Sequence, residues 1–151
     1  MEMTNETKKL TTEEFLALPD REKDALVAKK VMGVKIYHPV CFSGGYGPDD
    51  YIELNDDGSF KTWISLDSGG GGYCRVRHYT TGISAAGWVV EKMRSDGWCM
   101  SLKNMCGPDC VGVTFKRDPA IDDFDMEVSA RAATAPLSIA ICALKAVGAI
   151  E

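Results

Sequence analysis

The chain has 151 residues, which is enough for one domain with a hydrophobic core of its own. Its formal net charge of −5 argues against a general nucleic-acid binder, because affinity for phosphate backbones comes mostly from Lys and Arg. No stretch has the roughly 20 apolar residues of a membrane span, and the polar first residues lack the apolar region of a signal peptide, so we expect a cytoplasmic protein without membrane contact.

Residues 1–33 are predicted to contain two helices. Thr12 is expected to cap the first, and Asp20 is expected to cap the second, which ends at Gly33. Residues 34–37 are predicted to form a short strand.

The composition changes in residues 39–79, which we interpret as a glycine-rich hairpin and loop insertion. The sequence Asn55-Asp56-Asp57-Gly58 is a strong hairpin signal between two short apolar runs. Gly69–Gly72 is a run of four glycines and is predicted to be a mobile loop unless a ligand orders it. Insertions on a rigid scaffold often carry function.

Residues 80–151 are predicted to form a helix, a three-stranded antiparallel meander and a final helix. The apolar stripe of the first helix is expected at Ile83, Ala86, Val90 and Met93. Thr134 is expected to cap the final helix, which is apolar nearly all round and should lie buried or at a subunit interface.

Each predicted strand of the meander has one apolar face and one polar face. A sheet covered by helices on both faces is expected to be more uniformly apolar, so the second face meets water, a ligand, another subunit or a thin helical layer. Its polar positions are Cys99, Ser101, Lys103, Thr114, Lys116, Glu127, Ser129 and Arg131.

Three segments in order, Leu18–Gly33, Tyr79–Trp98 and Thr134–Gly148, resemble the phage ABA-sandwich domain family. The family's pattern pairs a "DALVA-KVMGW" helix with a "YSTDI-AAW-VVEKL" helix and ends in "TAPLAIC-AALKA"; where it has Asp, this chain has Gly82. The resemblance implies an α+β fold, in which an antiparallel β-sheet packs with helices as an α/β/α-type sandwich, in one domain spanning residues 1–151. It also implies a phage protein in the cytoplasm of its bacterial host, and it names no reaction.

The strongest candidate ligand site is the segment that follows the glycine run. A glycine loop lets backbone approach a phosphate, a helix start favours anions, arginine binds phosphate bidentately and tyrosine stacks on bases. The alternative is a flexible hairpin tip, a surface strand and an ordinary helix cap. The predicted ligand-binding residues are Gly70, Gly71, Tyr73, Arg75, Arg77, His78, Tyr79, Thr80 and Thr81, with Arg131 or Lys116 added from a neighbouring subunit.

Metal sites are weaker candidates. His38, Cys41, Cys106 and Cys110 supply ligand types for zinc, but the spacing lacks a CxxC pair, so reduced and mostly buried thiols are the preferred interpretation of the six cysteines. The acidic loop residues Asp118, Asp122, Asp123 and Asp125 lack the rhythm of a calcium loop. No metal or cofactor is predicted.

Three functions of different class remain open. The preferred hypothesis is a non-catalytic phage protein, acting as a homo-oligomer, that sequesters a small anionic nucleotide signal of bacterial antiphage defence. The second is a protein–protein inhibitor or adaptor acting on a host defence factor. The third, a small nucleotide hydrolase that depends on His78, has little support because the chain has none of the common catalytic motifs.

Overall fold

The computed structural model describes residues 8–37, 51–64, 66–67, 69–104, 107, 110–117 and 126–151. Within these ranges, no helix is long and apolar enough to cross a lipid bilayer. The described elements are α1 (Thr12–Leu16), α2 (Asp20–Lys30), β1 (Lys35–Tyr37), β2 (Ile52–Leu54), β3 (Thr62–Ile64), β4 (Gly71–Tyr73), α3 (Ile83–Ser95), β5 (Trp98–Asn104), β6 (Val111–Arg117), β7 (Glu127–Ala132) and α4 (Ala135–Ala146).

Strands β5, β6 and β7 form an antiparallel meander with β6 in the middle, as the alternation of the sequence predicts. The register pairs Met100 with Phe115, and Phe115 with Val128. Because successive side chains point to opposite faces of a strand, this register gathers the apolar positions of all three strands on one face. The predicted α+β fold in a single domain is confirmed.

Helix α4 lies at the centre of the core, against β6, β7 and α3. It begins after the predicted cap Thr134, and it is buried along most of its length, as predicted. Two of its polar groups use strand carbonyls: the Ser138 hydroxyl donates to Val111 O at 2.9 Å, and the Cys142 thiol donates to Val128 O at 3.1 Å. These bonds fix the helix on the sheet, and among the described residues no buried side-chain nitrogen or oxygen lacks a hydrogen-bond partner.

The opposite face of the meander carries the polar residues and has no described element packed over it. Ser101, Lys103, Ser129 and Arg131 are all exposed there, whereas Phe115 on the other face is fully buried. Helices α3 and α4 cover the apolar face only. The sequence left open what the polar face of the meander meets. In the described part of the chain, this face meets solvent.

The first half of the chain forms two small antiparallel sheets, β1–β2 and β3–β4. The predicted hairpin turn is present: Asn55 O accepts the Gly58 N–H at 2.9 Å, and Gly58 has a φ of 86° that favours glycine. The prediction of a mobile loop over Gly69–Gly72 is partly wrong, because Gly71 and Gly72 belong to β4 and pair with Ile64 and Trp63.

The capping residues of the first two helices differ from the prediction. Thr11 rather than Thr12 caps α1, because the Thr12 hydroxyl donates instead to the backbone oxygen of Glu151 at 2.7 Å. Pro19 occupies the N-cap position of α2, and Asp20 is its first helical residue. Carboxylates in the first turn still favour the positive end of the helix dipole.

The buried stripe of α3 also differs. Ala86, Val89 and Met93 are fully buried, whereas Ile83 is 65% exposed. The buried residues follow the spacing of three and four that one helical face requires, and Ile83 lies on the first turn, away from the core.

The expectation of mostly buried thiols is wrong for the cysteines that the structure describes. Cys142 is buried, Cys74 and Cys110 are half-buried, and Cys99 is exposed on the polar face of the meander. The alternation of β5 explains Cys99, because its neighbour Trp98 takes the buried position.

We predict that Gly71→Ala destabilises the protein by about 1–3 kcal/mol, because a Cβ at this position would collide with the Trp63 carbonyl oxygen. Gly87→Ala is the matched control. Gly87 lies in the exposed interior of α3 with open space around it, so alanine there should stabilise by about 0.5–1 kcal/mol. Urea denaturation measures both changes, and equal effects of the two substitutions would contradict the packing argument.

Candidate functional site

A buried carboxylate joins α2 to the segment that precedes α3. Asp24 is fully buried, and its Oδ1 accepts the Thr80 N–H at 2.9 Å and the Thr80 hydroxyl at 2.8 Å. Its Oδ2 accepts from the Arg21 guanidinium at 2.8 Å. A buried charge is tolerated when it is paired and hydrogen-bonded in this way.

Arg21 extends the same network toward the surface. Its Nη2 donates to Val76 O at 2.6 Å, and its Nη1 lies 3.2 Å from His78 Nδ1. Because a guanidinium only donates, this contact requires a lone pair on His78 Nδ1, and the neutral ring then carries its proton on Nε2. The nearest Asp24 oxygen is 3.8 Å from Nδ1, so Arg21 rather than the carboxylate orients the imidazole.

The Asp24 network occupies donors of the anion site that was predicted at the start of α3. Helix α3 begins at Ile83 with Gly82 as its N-cap, and both polar donors of Thr80 are bonded to Asp24. The anion that these donors bind is therefore part of the protein. A ligand contact through Thr80 stays a prediction, and the ligand would have to compete with Asp24 for both donors.

Tyr79, another residue of the predicted site, is part of the hydrophobic core. It is 2% exposed and belongs to the core, and the stacking of a ligand on its ring stays a prediction. Burial away from water raises the pKa of the Tyr79 phenol to about 12, and the negative charge of Glu53 acts in the same direction.

Within the glycine run, the packing of β3 against β4 requires glycine at position 71, which the sequence did not reveal. A side chain on Gly71 would meet the Trp63 carbonyl across the β3–β4 pair. Tyr73 is half-buried, with its ring 5.0 Å from that of Phe60. Gly70 precedes the strand. Ligand contacts of these residues stay predictions.

Arg75 and Arg77 show the predicted alternation. Both are exposed, and Val76 between them is buried. The Arg77 guanidinium lies 5.1 Å from the centre of the exposed Trp88 ring, which is a cation–π distance. Thr81 is also exposed.

Arg131 lies elsewhere, on the polar face of the meander, in a row that runs across the three strands. Lys103 pairs with Gly112, and Gly112 pairs with Arg131. Because Gly112 has no side chain, the row has a gap between two cationic residues. We call this row the cationic row.

A second row of hydroxyl groups lies beside the cationic row. Ser101 pairs with Thr114, and Thr114 pairs with Ser129, with 3.0 Å between the Thr114 and Ser129 hydroxyl oxygens. The two rows line a surface pocket of about 180 Å³, together with Val113 and Ala130. Alternation along the strands predicts that these side chains share one face, but the gap at Gly112 depends on the strand register, which the sequence alone does not contain.

Several metal-site candidates lie outside the described residues, namely His38, Cys41, Cys106, Asp118, Asp122, Asp123 and Asp125. Cys110 is described and is half-buried. In the described ranges, no three His, Cys, Asp or Glu side chains are grouped so that they could hold a metal ion.

Comparisons with known proteins agree on the origin of the fold. The sequence model of the phage ABA sandwich domain matches residues 25–144. A phage protein from Bacillus cereus ATCC 14579 has a similar structure, with a TM-score of 0.55 and 20% sequence identity over 87% of this chain and 89% of that one. No curated protein matches the chain.

We predict that Asp24→Ala destabilises the protein by about 3 kcal/mol or more, because it leaves Thr80 and Arg21 without their buried partner. Asp20→Ala, one turn earlier on α2, is the control: the Asp20 side chain is 67% exposed and lies 3.6 Å from Lys23 Nζ, so its loss should cost less than about 1 kcal/mol. Equal losses in urea denaturation would show that the Asp24 network does not hold α2 in place.

Tyr79 should also make the free energy of unfolding depend on pH in the alkaline range. Because its folded pKa is raised to about 12 from 10.0, its contribution is complete below about pH 10 and is lost as the pH rises toward 12. The free energy of unfolding of the wild type relative to that of Tyr79→Phe, measured by urea denaturation, should therefore be constant to pH 10 and fall above it. A difference that stays constant to pH 12 would contradict the raised pKa.

Proposed function

The chain belongs to the phage ABA sandwich domain family, and on that premise we propose that it is a non-catalytic binding protein for a small anionic nucleotide. The nucleotide would be a signal of bacterial antiphage defence, which the protein removes by sequestering it.

The pocket on the polar face of the meander carries this proposal. Lys103 and Arg131 place two positive charges on either side of the gap at Gly112. Phosphate groups are bound by such charges together with hydroxyl donors, and arginine can bind two phosphate oxygens at once. The adjoining hydroxyl row supplies the neutral donors.

Charge distribution supports an anionic ligand at this place. The chain as a whole has a net charge of −5, yet no carboxylate lines the pocket. A local positive site in an acidic protein favours a small anion over a long nucleic acid, whose phosphates would meet the negative remainder of the surface.

Binding without turnover agrees with the geometry of the described side chains. His78 accepts a hydrogen bond from Arg21 at the nitrogen that a carboxylate would have to hold in a catalytic pair. The two cations and three hydroxyls of the pocket offer donors for binding, but no general base.

Native mass spectrometry tests the proposal. The protein would be purified from bacteria with and without an active nucleotide-signalling defence system, weighed intact, then denatured so that released small molecules can be identified. An intact nucleotide, released only from the first sample, supports sequestration. A converted nucleotide would indicate an enzyme, and an empty protein with undiminished signal in the lysate would favour inhibition of a host protein.

We predict that Lys103→Ala and Arg131→Ala each weaken binding of the released nucleotide by roughly ten- to hundredfold, the effect of losing a charged hydrogen bond. Gly112→Val should weaken it as well by filling the gap, while valine suits the middle strand. Calorimetric titration measures the affinities.

The control for charge is Lys30→Ala, at the exposed end of α2, which should leave the affinity unchanged. A second comparison uses the double substitution of Arg75 and Arg77 by alanine. Loss of binding in that variant alone would move the site to the segment before α3 and contradict the assignment to the meander.

A further inference from the structure

Strand β7 is an edge of the meander, and half of its backbone groups point away from the sheet. Arg117 N donates to Met126 O at 2.8 Å, which marks this opposite pair of residues as a hydrogen-bonded pair. Hydrogen-bonded and non-hydrogen-bonded pairs alternate along an antiparallel ladder. The N–H and C=O groups of Glu127, Ser129 and Arg131 therefore point outward, and in the part of the chain that the structure describes they have no partner.

An uncovered edge of this kind is a template for another strand. Proteins commonly block such an edge with a proline, with a charge that points inward, or by keeping the strand very short. β7 has six residues and no proline, and its face toward the core carries only Val128, Ala130 and Ala132. Met126, just before the strand, is 49% exposed and adds apolar surface. These features favour pairing with a further strand.

We propose that β7 pairs antiparallel with β7 of a second copy of this chain, about a twofold axis that passes through Ser129. Such a pairing must match residues whose backbone groups point outward in both copies. The register centred on Ser129 meets this condition and uses the whole segment 126–132. Because the same surface serves on both subunits, the assembly closes as a dimer, and the two meanders form one six-stranded sheet.

The charges of β7 select this partner and this register. With Ser129 on the axis, Glu127 of each copy lies directly opposite Arg131 of the partner subunit, and no other register brings these two residues together. Opposite charges across neighbouring strands stabilise a sheet, and like charges destabilise it. Among the described residues, neither side chain has an ion pair. Glu127, which faces Lys116 in its own sheet, would then lie between two cations.

The helices on the apolar face leave room for this approach. Helix α4 lies over the boundary between β6 and β7, because the Cys142 thiol is 3.5 Å from Val113 O on one strand and 3.1 Å from Val128 O on the other. Since neighbouring strands are about 4.8 Å apart, the two α4 helices of the dimer would lie about 10 Å apart, which is an ordinary distance between packed helices.

The pairing also joins the polar faces of the two meanders. Ser129 lies opposite Ser129 of the partner subunit, so the two hydroxyl rows become one. Arg131 lies between the gap at Gly112 and Glu127 of the partner subunit. Its guanidinium has five donors, so it can bind that carboxylate and still reach an anion in the gap. The homo-oligomer expected from the sequence is formed in this way, and its formation does not require a nucleotide.

A charge-reversal experiment tests the pairing by sedimentation velocity without nucleotide. Arg131→Glu turns both opposite-charge pairs into pairs of carboxylates, so it should weaken dimerisation by about tenfold or more. Adding Glu127→Arg exchanges the two charges, so the double variant should regain most of the wild-type dimerisation constant. The matched control is Lys103→Glu, which reverses a charge on the same polar face but on the other edge strand, β5, and should leave dimerisation unchanged.

A second variant tests the backbone contact. Ser129→Pro removes an outward N–H while the ladder between β6 and β7 stays complete, so the folded variant should be monomeric. Circular dichroism and the melting temperature show whether each variant is folded.

Four results would overturn the proposal. The first is a wild type that is monomeric up to millimolar concentration, and the second is wild-type dimerisation of Arg131→Glu or of folded Ser129→Pro. The third is a double variant as weak as Arg131→Glu, and the fourth is an equal loss in Lys103→Glu. Because nucleotide is absent from these measurements, their failure is distinct from a failure of the proposed nucleotide site.

Discussion

The architecture depends on the neutralisation of one buried carboxylate. Asp24 has no access to water, and a carboxylate in that position is stable only with partners that replace its hydration. Thr80 and Arg21 supply them, and Arg21 also holds the Val76 carbonyl. The requirement therefore sets where α2 lies relative to the segment that leads into α3, and through α3 it sets the position of the meander.

The regular second half of the chain is readable from its sequence, because one physical signal dominates there. Period-two alternation predicts the meander and its two faces, and the Thr134 cap with an apolar run predicts α4. Caps at the start of the chain are predicted less well. Thr11 and Thr12 have equivalent side chains, and the choice between them depends on the distant Glu151 carbonyl, a tertiary contact that local sequence does not contain.

The residues of the candidate site also divide into those whose environment the local sequence predicts and those whose environment depends on a distant contact. Exposure of Arg75 and Arg77 follows from alternation alone, whereas the burial of Thr80 follows from Asp24, which is 56 residues away in the chain. A threonine followed by a helix has the same sequence whether its donors meet a ligand or an internal carboxylate. Likewise Gly71 and Gly112 are both glycines in strands, and only the structure shows that one avoids a carbonyl and the other separates two cations.

The open face of the meander has a further consequence for how such a protein can change over generations. Its side chains point away from the core, so exchanging Ser101, Lys103 or Ser129 alters the chemistry of the surface while the packing against α4 stays the same. Selection can therefore change the chemistry of one face of the sheet without endangering the folding carried by the other. Surface chemistry and folding stability are thus inherited on opposite sides of the same three strands.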